Sequence, residues 1–280
     1  MCRFAAYLGP EIRVSSLVTE PSNSIIHQSF KARMREEPLN GDGFGVVWYP
    51  SDLEESPARF RAVTPAWNDE NLRHLARVIS SRCVFAHVRA ATQGLAVQQS
   101  NCHPFLHGPL AFMHNGNVDG FSDMRRALLA QLSDHAFSMI RGTTDSEHVF
   151  GLFVDAWHAE EARPPRERLV RALAACVSQV EALRAQEGVP GETLLNLAVS
   201  DGHALATVRY TSGLRHNTLF AHQGREMYCE DGEYGMHEPG APGAALICSE
   251  PLSDDDAWVE VKLGQVVSTS LDEPLRFEHL

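Results

Sequence analysis

The chain has 280 residues, 44% of them hydrophobic and 21% charged, and a formal net charge of −12. That length buries a substantial core, and the negative charge excludes nucleic acid or an anionic membrane as the main partner, since either would repel it. No apolar run reaches the length of a bilayer span, and Met1-Cys2-Arg3-Phe4 lacks the pattern of a secretory leader, so the expected compartment is the cytoplasm. Six cysteines stand at 2, 83, 102, 176, 229 and 248 with no CxxC pair, so no disulfide framework is expected.

In chain order, Cys2, Phe4, Ala6 and Leu8 alternate with Arg3, Ala5 and Tyr7, a period-2 pattern that predicts a strand from the second residue. A strand at Phe44–Tyr49 follows the Gly-rich turn Asn40-Gly-Asp-Gly43. Asp69–Ser80 carries Leu72, Leu75 and Ile79 on one face and predicts a helix capped by Asn68 or Asp69. Cys83–Arg89 and Leu110–His114 read as buried strands, and Ser122 as the cap of a helix through Leu132. Thr144-Asp-Ser-Glu147 has the form of a capping box before the apolar segment Val149–Trp157. Arg166–Gln186 predicts an amphipathic helix stopped by Gly188 and Pro190. Strands are expected at Leu194–Ser200, Ala204–Tyr210, Ala244–Ser249 and Trp258–Val267. Loops fall at 50–58, 160–165 and 229–243. The class is α+β, with residues 2–280 expected to form one domain.

Cys2 has a chemical consequence. Cysteine is small enough for removal of an initiator Met1, which leaves Cys2 with a free α-amine. Such an amine has an unperturbed pKa of about 7.7–8.0, so it can act as general base on its own thiol, directly or through one water.

Five segments follow in order: Asn40-Gly-Asp-Gly-Phe-Gly45, Ala86-His-Val-Arg-Ala-Ala-Thr92, Asn101-Cys-His-Pro-Phe105, Phe112-Met-His-Asn-Gly-Asn117 and Thr143-Thr-Asp-Ser-Glu147. Singly each has a bland reading: His-Asn-Gly as a hairpin turn, Thr-Thr-Asp-Ser-Glu as a helix cap, Arg89 as a surface cation. Together with Cys2 they resemble the class II glutamine amidotransferases, a branch of the N-terminal-nucleophile hydrolases, strongly over about residues 2 to 150. The resemblance implies a four-layer αββα sandwich. It also implies roles: Cys2 as nucleophile with its α-amine as base, and Asn115 with the Gly116 N–H as oxyanion hole. Arg89 would pair with the α-carboxylate of a glutamyl group, as suits a planar guanidinium. Asp145 would receive the α-ammonium, and Thr92 would add a contact. His103 is expected to wall the pocket, and His114 to position the Asn-Gly turn as a strand residue. Cys102 stands where the family has a small residue, and Gln93 where it often has a His.

An acceptor domain for released ammonia would need roughly 100–200 further residues, and the tail holds no Walker, phosphoribosyl or Rossmann fingerprint. Further segments, Asn23-Ser-Ile-Ile-His-Gln-Ser-Phe30, Val63-Thr-Pro-Ala-Trp-Asn68, Leu195-Asn-Leu-Ala-Val-Ser-Asp-Gly202 and Ser249-Glu-Pro-Leu252, resemble the amidotransferase-type subunit of the fungal cytosolic glutathione-degrading complex. There a separate metallopeptidase-like partner works with the subunit, and the γ-glutamyl bond of glutathione is cut. Alternatives are the γ-glutamyl amidohydrolase of ergothioneine biosynthesis, a glutaminase subunit serving a separate synthetase, and a catalytically silent regulatory subunit. His87, His103, His107 and His114 match no standard zinc spacing, so neither a metal nor another cofactor is expected.

Overall fold

The computed structural model describes residues 2–34, 39–50, 56–91, 96–237 and 243–280. Thr92 and parts of the loops expected at 50–58 and 229–243 lie outside them. The first half of the chain contributes strands β1 (Arg3–Arg13), β2 (Phe44–Trp48), β3 (Ala58–Ala62), β4 (Ser80–Val88), β5 (Phe105–His107) and β6 (Leu110–Val118). The second half adds β7 (Thr193–Ser200), β8 (Ala204–Thr211), β9 (Phe220–Gly224), β10 (Met227–Glu230) and β11 (Glu233–Met236). After these come β12 (Ala244–Cys248), β13 (Val259–Glu260), β14 (Gln265–Ser270) and β15 (Glu273–His279). The helices are α1 (Ser15–Val18), α2 (Ile25–Lys31), α3 (Glu70–Val78), α4 (Phe121–Gln131), α5 (Asp134–Met139), α6 (Asp145–Ala159) and α7 (Pro165–Glu187).

Two antiparallel sheets result. One has seven strands in the order β13-β9-β12-β1-β4-β2-β3, the other six in the order β15-β14-β8-β7-β6-β5. Strand alternation explains how they stack. In β1, Phe4, Ala6 and Leu8 point into an apolar layer shared with Ala111, Met113, Ala198 and Val267 of the other sheet. Ala5 and Tyr7 point the opposite way, into a cluster with Leu17, Ile25 and Leu72 of α1, α2 and α3. A third cluster joins the far face of the six-stranded sheet to α4, α6 and α7 through residues such as Phe112, Phe150, Phe153 and Leu173. Three cores between four layers give the αββα sandwich. Fully burying each Phe or Leu contributes roughly 1.5–3 kcal/mol, and β1, covered on both faces, is held in the middle of its sheet.

Local signals place the helices. Asp69 caps α3 by accepting from the Leu72 N–H at 2.7 Å, and Thr144 caps α6 by accepting from Glu147 N–H at 3.3 Å. The Glu147 carboxylate does not complete a reciprocal box; it accepts from the Arg141 and Gly142 N–H groups instead. Gly188 ends α7 at φ 64°, with Val189 N–H donating to the Arg184 carbonyl.

Four expectations are corrected. Ser122 lies inside α4, whose cap is Gly120 at φ 67°, a conformation glycine adopts without a Cβ penalty. The run Trp258–Val267 is broken by a turn at Gly264 into β13 and the start of β14. The loop expected at 229–243 contains part of a hairpin, β10–β11. Asn115-Gly116 is not a turn: it continues β6, pairing with Asn196 and Leu195 of β7.

Candidate active site

The site grows from the end of β1. Arg3 pairs with Val88 and Phe4 with His87 of β4, and one further step of this register sets Cys2 opposite Arg89. By alternation both side chains fall on the face that looks toward the second sheet. The Cys2 Sγ lies 3.7 Å from the Ala90 carbonyl. Arg89 is buried, and its Nη1 donates to the Asp42 carbonyl at 3.4 Å. The segment after β4 is zipped to the Gly-rich loop: Arg89 N–H donates to Gly43, Asp42 N–H to Arg89, and Ala91 N–H to the Asp42 carboxylate at 2.8 Å. Gly43 sits at φ 114°, where a Cβ would meet the Cys102 sulfur and the Ala62 carbonyl; no other residue fits there. Burial pushes the Cys102 thiol pKa up, against the opposing pull of the Arg89 and Arg61 guanidinium groups. Cys102 therefore stays a thiol beside Cys2.

The facing wall is β6. Ala111 and Met113 point into the inter-sheet layer, so Asn115 points the same way. Asn115 Nδ2 donates to Ser249 Oγ at 3.3 Å, and that hydroxyl also accepts from the Phe4 N–H at 3.0 Å. Asn217 Nδ2 donates to the Asn115 backbone carbonyl at 3.0 Å. A primary amide has two N–H donors; Ser249 takes one. Gly116 faces the helices instead, and a Cβ there would collide with the Leu194 carbonyl and the His114 ring. Glycine is needed at 116 for this close approach between β6 and β7.

Asp145 opens α6. Its carboxylate accepts from Val118 N–H at 2.9 Å and Ser146 N–H at 2.7 Å, joining the helix to the strand that carries Asn115. His114 is occupied at both nitrogens: Nε2 donates to the Leu194 carbonyl and Nδ1 pairs with the Ser146 hydroxyl, each at 2.9 Å. It ties β6 to β7 and α6 and does not position a turn.

His103 and His87 stack with ring centroids 4.2 Å apart, and His103 packs on Phe105. Both rings are buried, and neither His103 nitrogen has a hydrogen-bond partner among the described residues. Burial holds His103 well below the usual imidazole range and lowers His87 to about 3, so both are neutral at working pH. Unfolded His87 takes its proton near pH 6.5, folded His87 only near 3. Between those values the unfolded chain binds a proton that the folded chain refuses, so stability falls as pH falls through that window. His87→Gln is expected to flatten the urea midpoint between pH 6.5 and 4; an unchanged slope would remove His87 as a cause of acid sensitivity.

Sequence reasoning missed Asp42, Ser249 and Asn217 as supports, although the segments containing Asp42 and Ser249 stood out as motifs. It also missed the pair Arg3–Glu250, whose Nε–Oε1 distance is 2.7 Å with both side chains buried. Arg3 Nη1 donates to the Cys2 carbonyl at 3.0 Å, and Glu250 accepts from the Arg33 and Met34 N–H groups. Thr92 falls outside the described residues. The four histidines weighed as a metal set are divided: His87, His103 and His114 lie in the interior. Among the described residues, the group able to hold a metal ion is His107, His135 and His158.

Two facing antiparallel sheets between helical layers, opened by a strand that directly follows a cysteine, define the architecture of the N-terminal-nucleophile hydrolases. The chain matches the family Glutamine amidotransferases class-II over residues 14–275, and it belongs to that family. It is 35% identical to the probable glutamine amidotransferase DUG3 of Saccharomyces cerevisiae over 96% of this chain and 81% of the yeast protein. It is 33% identical to a gamma-glutamyl-hercynylcysteine sulfoxide hydrolase of Mycolicibacterium smegmatis, over 97% of this chain and all of that one. A glutamine aminotransferase class-II domain protein from Silicibacter pomeroyi has the same fold, with TM-score 0.68 and 24% identity over 99% of each chain.

Proposed function

We propose that the protein hydrolyses a γ-glutamyl amide bond through a Cys2 γ-glutamyl thioester. Support comes above all from one juxtaposition: Cys2 in register beside the buried Arg89, facing a strand whose Asn115 is tied through Ser249 to the backbone of β1. With Met1 removed, the Cys2 α-amine takes the thiol proton. The thiolate adds to the γ-carbonyl, and the oxyanion is received by the second Asn115 N–H and the Gly116 N–H. The tetrahedral intermediate collapses to the thioester as the leaving amine takes a proton from the α-ammonium. Water, deprotonated by the Cys2 α-amine, then adds to the thioester carbonyl and expels the Cys2 thiolate, which takes back the proton from the Cys2 ammonium as glutamate leaves. Arg89 binds the glutamyl α-carboxylate and Asp145 its α-ammonium, with Thr92 and His103 contributing to the pocket around them. No step calls for a cofactor, and the buried, stacked His87 and His103, whose proton affinity burial depresses, are too weakly basic to serve as base.

Arg89→Ala and Asp145→Ala are each expected to cut kcat/KM by on the order of a hundredfold, as loss of a charge-assisted contact worth ~3 kcal/mol does. Asn115→Ala should depress kcat by about 100- to 1,000-fold with little change in KM. A mainly raised KM would remove Asn115 from the oxyanion role.

For the leaving group, we infer a γ-glutamyl thiol peptide such as glutathione in preference to free glutamine. The resemblance to the glutathione-degrading subunit supports this, as does the substrate for which the mycobacterial relative is named, also a γ-glutamyl compound. Arg89 and Asp145 hold only the glutamyl head, so selectivity must come from contacts beyond the scissile bond, where remote binding orients it for attack. A separate metallopeptidase-like subunit could complete that part of the pocket, and the setting would be cytoplasmic; among the described residues no helix is long and apolar enough to cross a membrane. The test is kcat/KM for glutamine, glutathione, γ-glutamylcysteine and γ-glutamyl-hercynylcysteine sulfoxide, with and without a copurifying subunit. Preference for the sulfoxide would favour the ergothioneine alternative. Preference for glutamine, with ammonia passed to a partner synthetase, would defeat the thiol-peptide assignment. Inactivity on every substrate, with Cys2 verified as terminal, would point to a regulatory subunit.

A further inference from the structure

His107 ends β5, the edge strand of the six-stranded sheet; His135 lies in the first turn of α5, and His158 in the last turn of α6. One ring nitrogen from each lies within 4.8 Å of the other two. The Nε2 atoms of His107 and His135 are 2.6 Å apart, and the three rings meet at 79°, 82° and 76°. His158 is about 20 Å along α6 from Asp145, at 1.5 Å per residue, so the group is separate from the candidate active site.

We propose that His107, His135 and His158 bind a divalent transition metal, with zinc the reference ion, through three imidazole nitrogens and one water. The donor set suits zinc, which takes histidine nitrogen at about 2.0–2.1 Å in tetrahedral sites, so that coordinated nitrogens stand about 3.3 Å apart. Rotation of the side chains, two of them exposed, brings the present spacings to that value. A metal needs the neutral imidazole with its lone pair. The scaffold under the ligands is fixed. The Asp155 carboxylate of α6 accepts from the Ser133 N–H at 2.8 Å and from its hydroxyl, while that hydroxyl caps α5 by accepting from Ala136 N–H. This clamp holds the start of α5, and with it His135, against the turn of α6 that carries His158. A bound ion would staple the edge strand to both helices. Because β5 continues from His103 and α6 begins at Asp145, two segments of the candidate active site would be braced from behind.

The experiment uses untagged full-length protein, stripped with chelator, dialysed, and titrated calorimetrically with zinc and spectroscopically with cobalt. One equivalent should bind, and the cobalt spectrum should lack a thiolate-to-metal charge-transfer band and persist in Cys2→Ala. His135→Ala and His158→Ala should each weaken binding by on the order of a hundredfold. Zinc at a hundredfold excess over its Kd should raise Tm by roughly 5 °C in the parent chain and not in the double variant. Far-UV circular dichroism checks that the variants fold; both positions are exposed. Absence of stoichiometric uptake, unchanged affinity in His135→Ala, or a charge-transfer band lost in Cys2→Ala would overturn the proposal. Uptake and Tm are read without any γ-glutamyl substrate, so failure here leaves the proposed hydrolysis standing, and the converse.

Discussion

Cys2→Ala is expected to fold normally and to lose turnover almost completely, by on the order of a millionfold in kcat, as removal of an activated nucleophile does. The thiol is only partly buried, and among the described residues its polar contact is a 3.7 Å approach to the Ala90 carbonyl, so little stability goes with it. The same chemistry demands a free α-amine on residue 2. Intact mass of active protein should show Met1 absent, and a permanent N-terminal extension should silence the enzyme while leaving its far-UV spectrum unchanged. Turnover by Cys2→Ala, or by a preparation that keeps Met1, would end the amine-as-base mechanism.

The second large effect lies one residue away. Glu250→Ala takes from the buried Arg3 guanidinium its ion-pair partner at 2.7 Å and removes the acceptor for the Arg33 and Met34 N–H groups. Breaking a buried pair in this way costs about 3–5 kcal/mol, a large part of a typical total of about 5–15 kcal/mol. The urea midpoint should fall accordingly. Replacing both partners by apolar residues of similar volume should recover part of the loss, because the desolvation of two charges is then no longer required. A single variant costing under about 1 kcal/mol would show that the pair is solvated in solution.

The parts of the fold legible in the sequence were those with local causes. Period-2 alternation found β1, short apolar runs found β2, β4, β7, β8 and β12, and side-chain caps found α3 and α6, because strand burial and capping are written within a few residues. Edge elements escaped. In β3, Arg59 and Arg61 flank Phe60 in a half-exposed strand, and in β15 the charged Arg276 and Glu278 mask the pattern. The Asn-Gly of β6 was open to a hairpin reading because that dipeptide favours turns. Only contact with the Leu194 carbonyl, far along the chain, explains a glycine in mid-strand. For the candidate site, the motifs named the side chains proposed to react, whereas their supports are bonds between distant segments. Ser249 reaches Phe4 across 245 residues and Arg3 reaches Glu250 across 247, separations at which no spacing rule operates. The His107, His135 and His158 group was hidden for the same reason.

The bond from Asn115 to Ser249 passes from one sheet to the other beside the apolar layer of Phe4, Phe85, Ala111 and Met113. In the proposed mechanism the nucleophile hangs from one wall and the amide donor from the opposite one, so the interval between reacting atoms is the interval between walls. The packed side chains in that layer act as a shim. Interiors are close-packed and yield little, so a methylene gained or lost there moves the walls, and the gap at the chemistry moves with them. Residues that never meet the substrate thereby calibrate the reaction, and bulk added on one wall is tolerated where the facing wall thins to match.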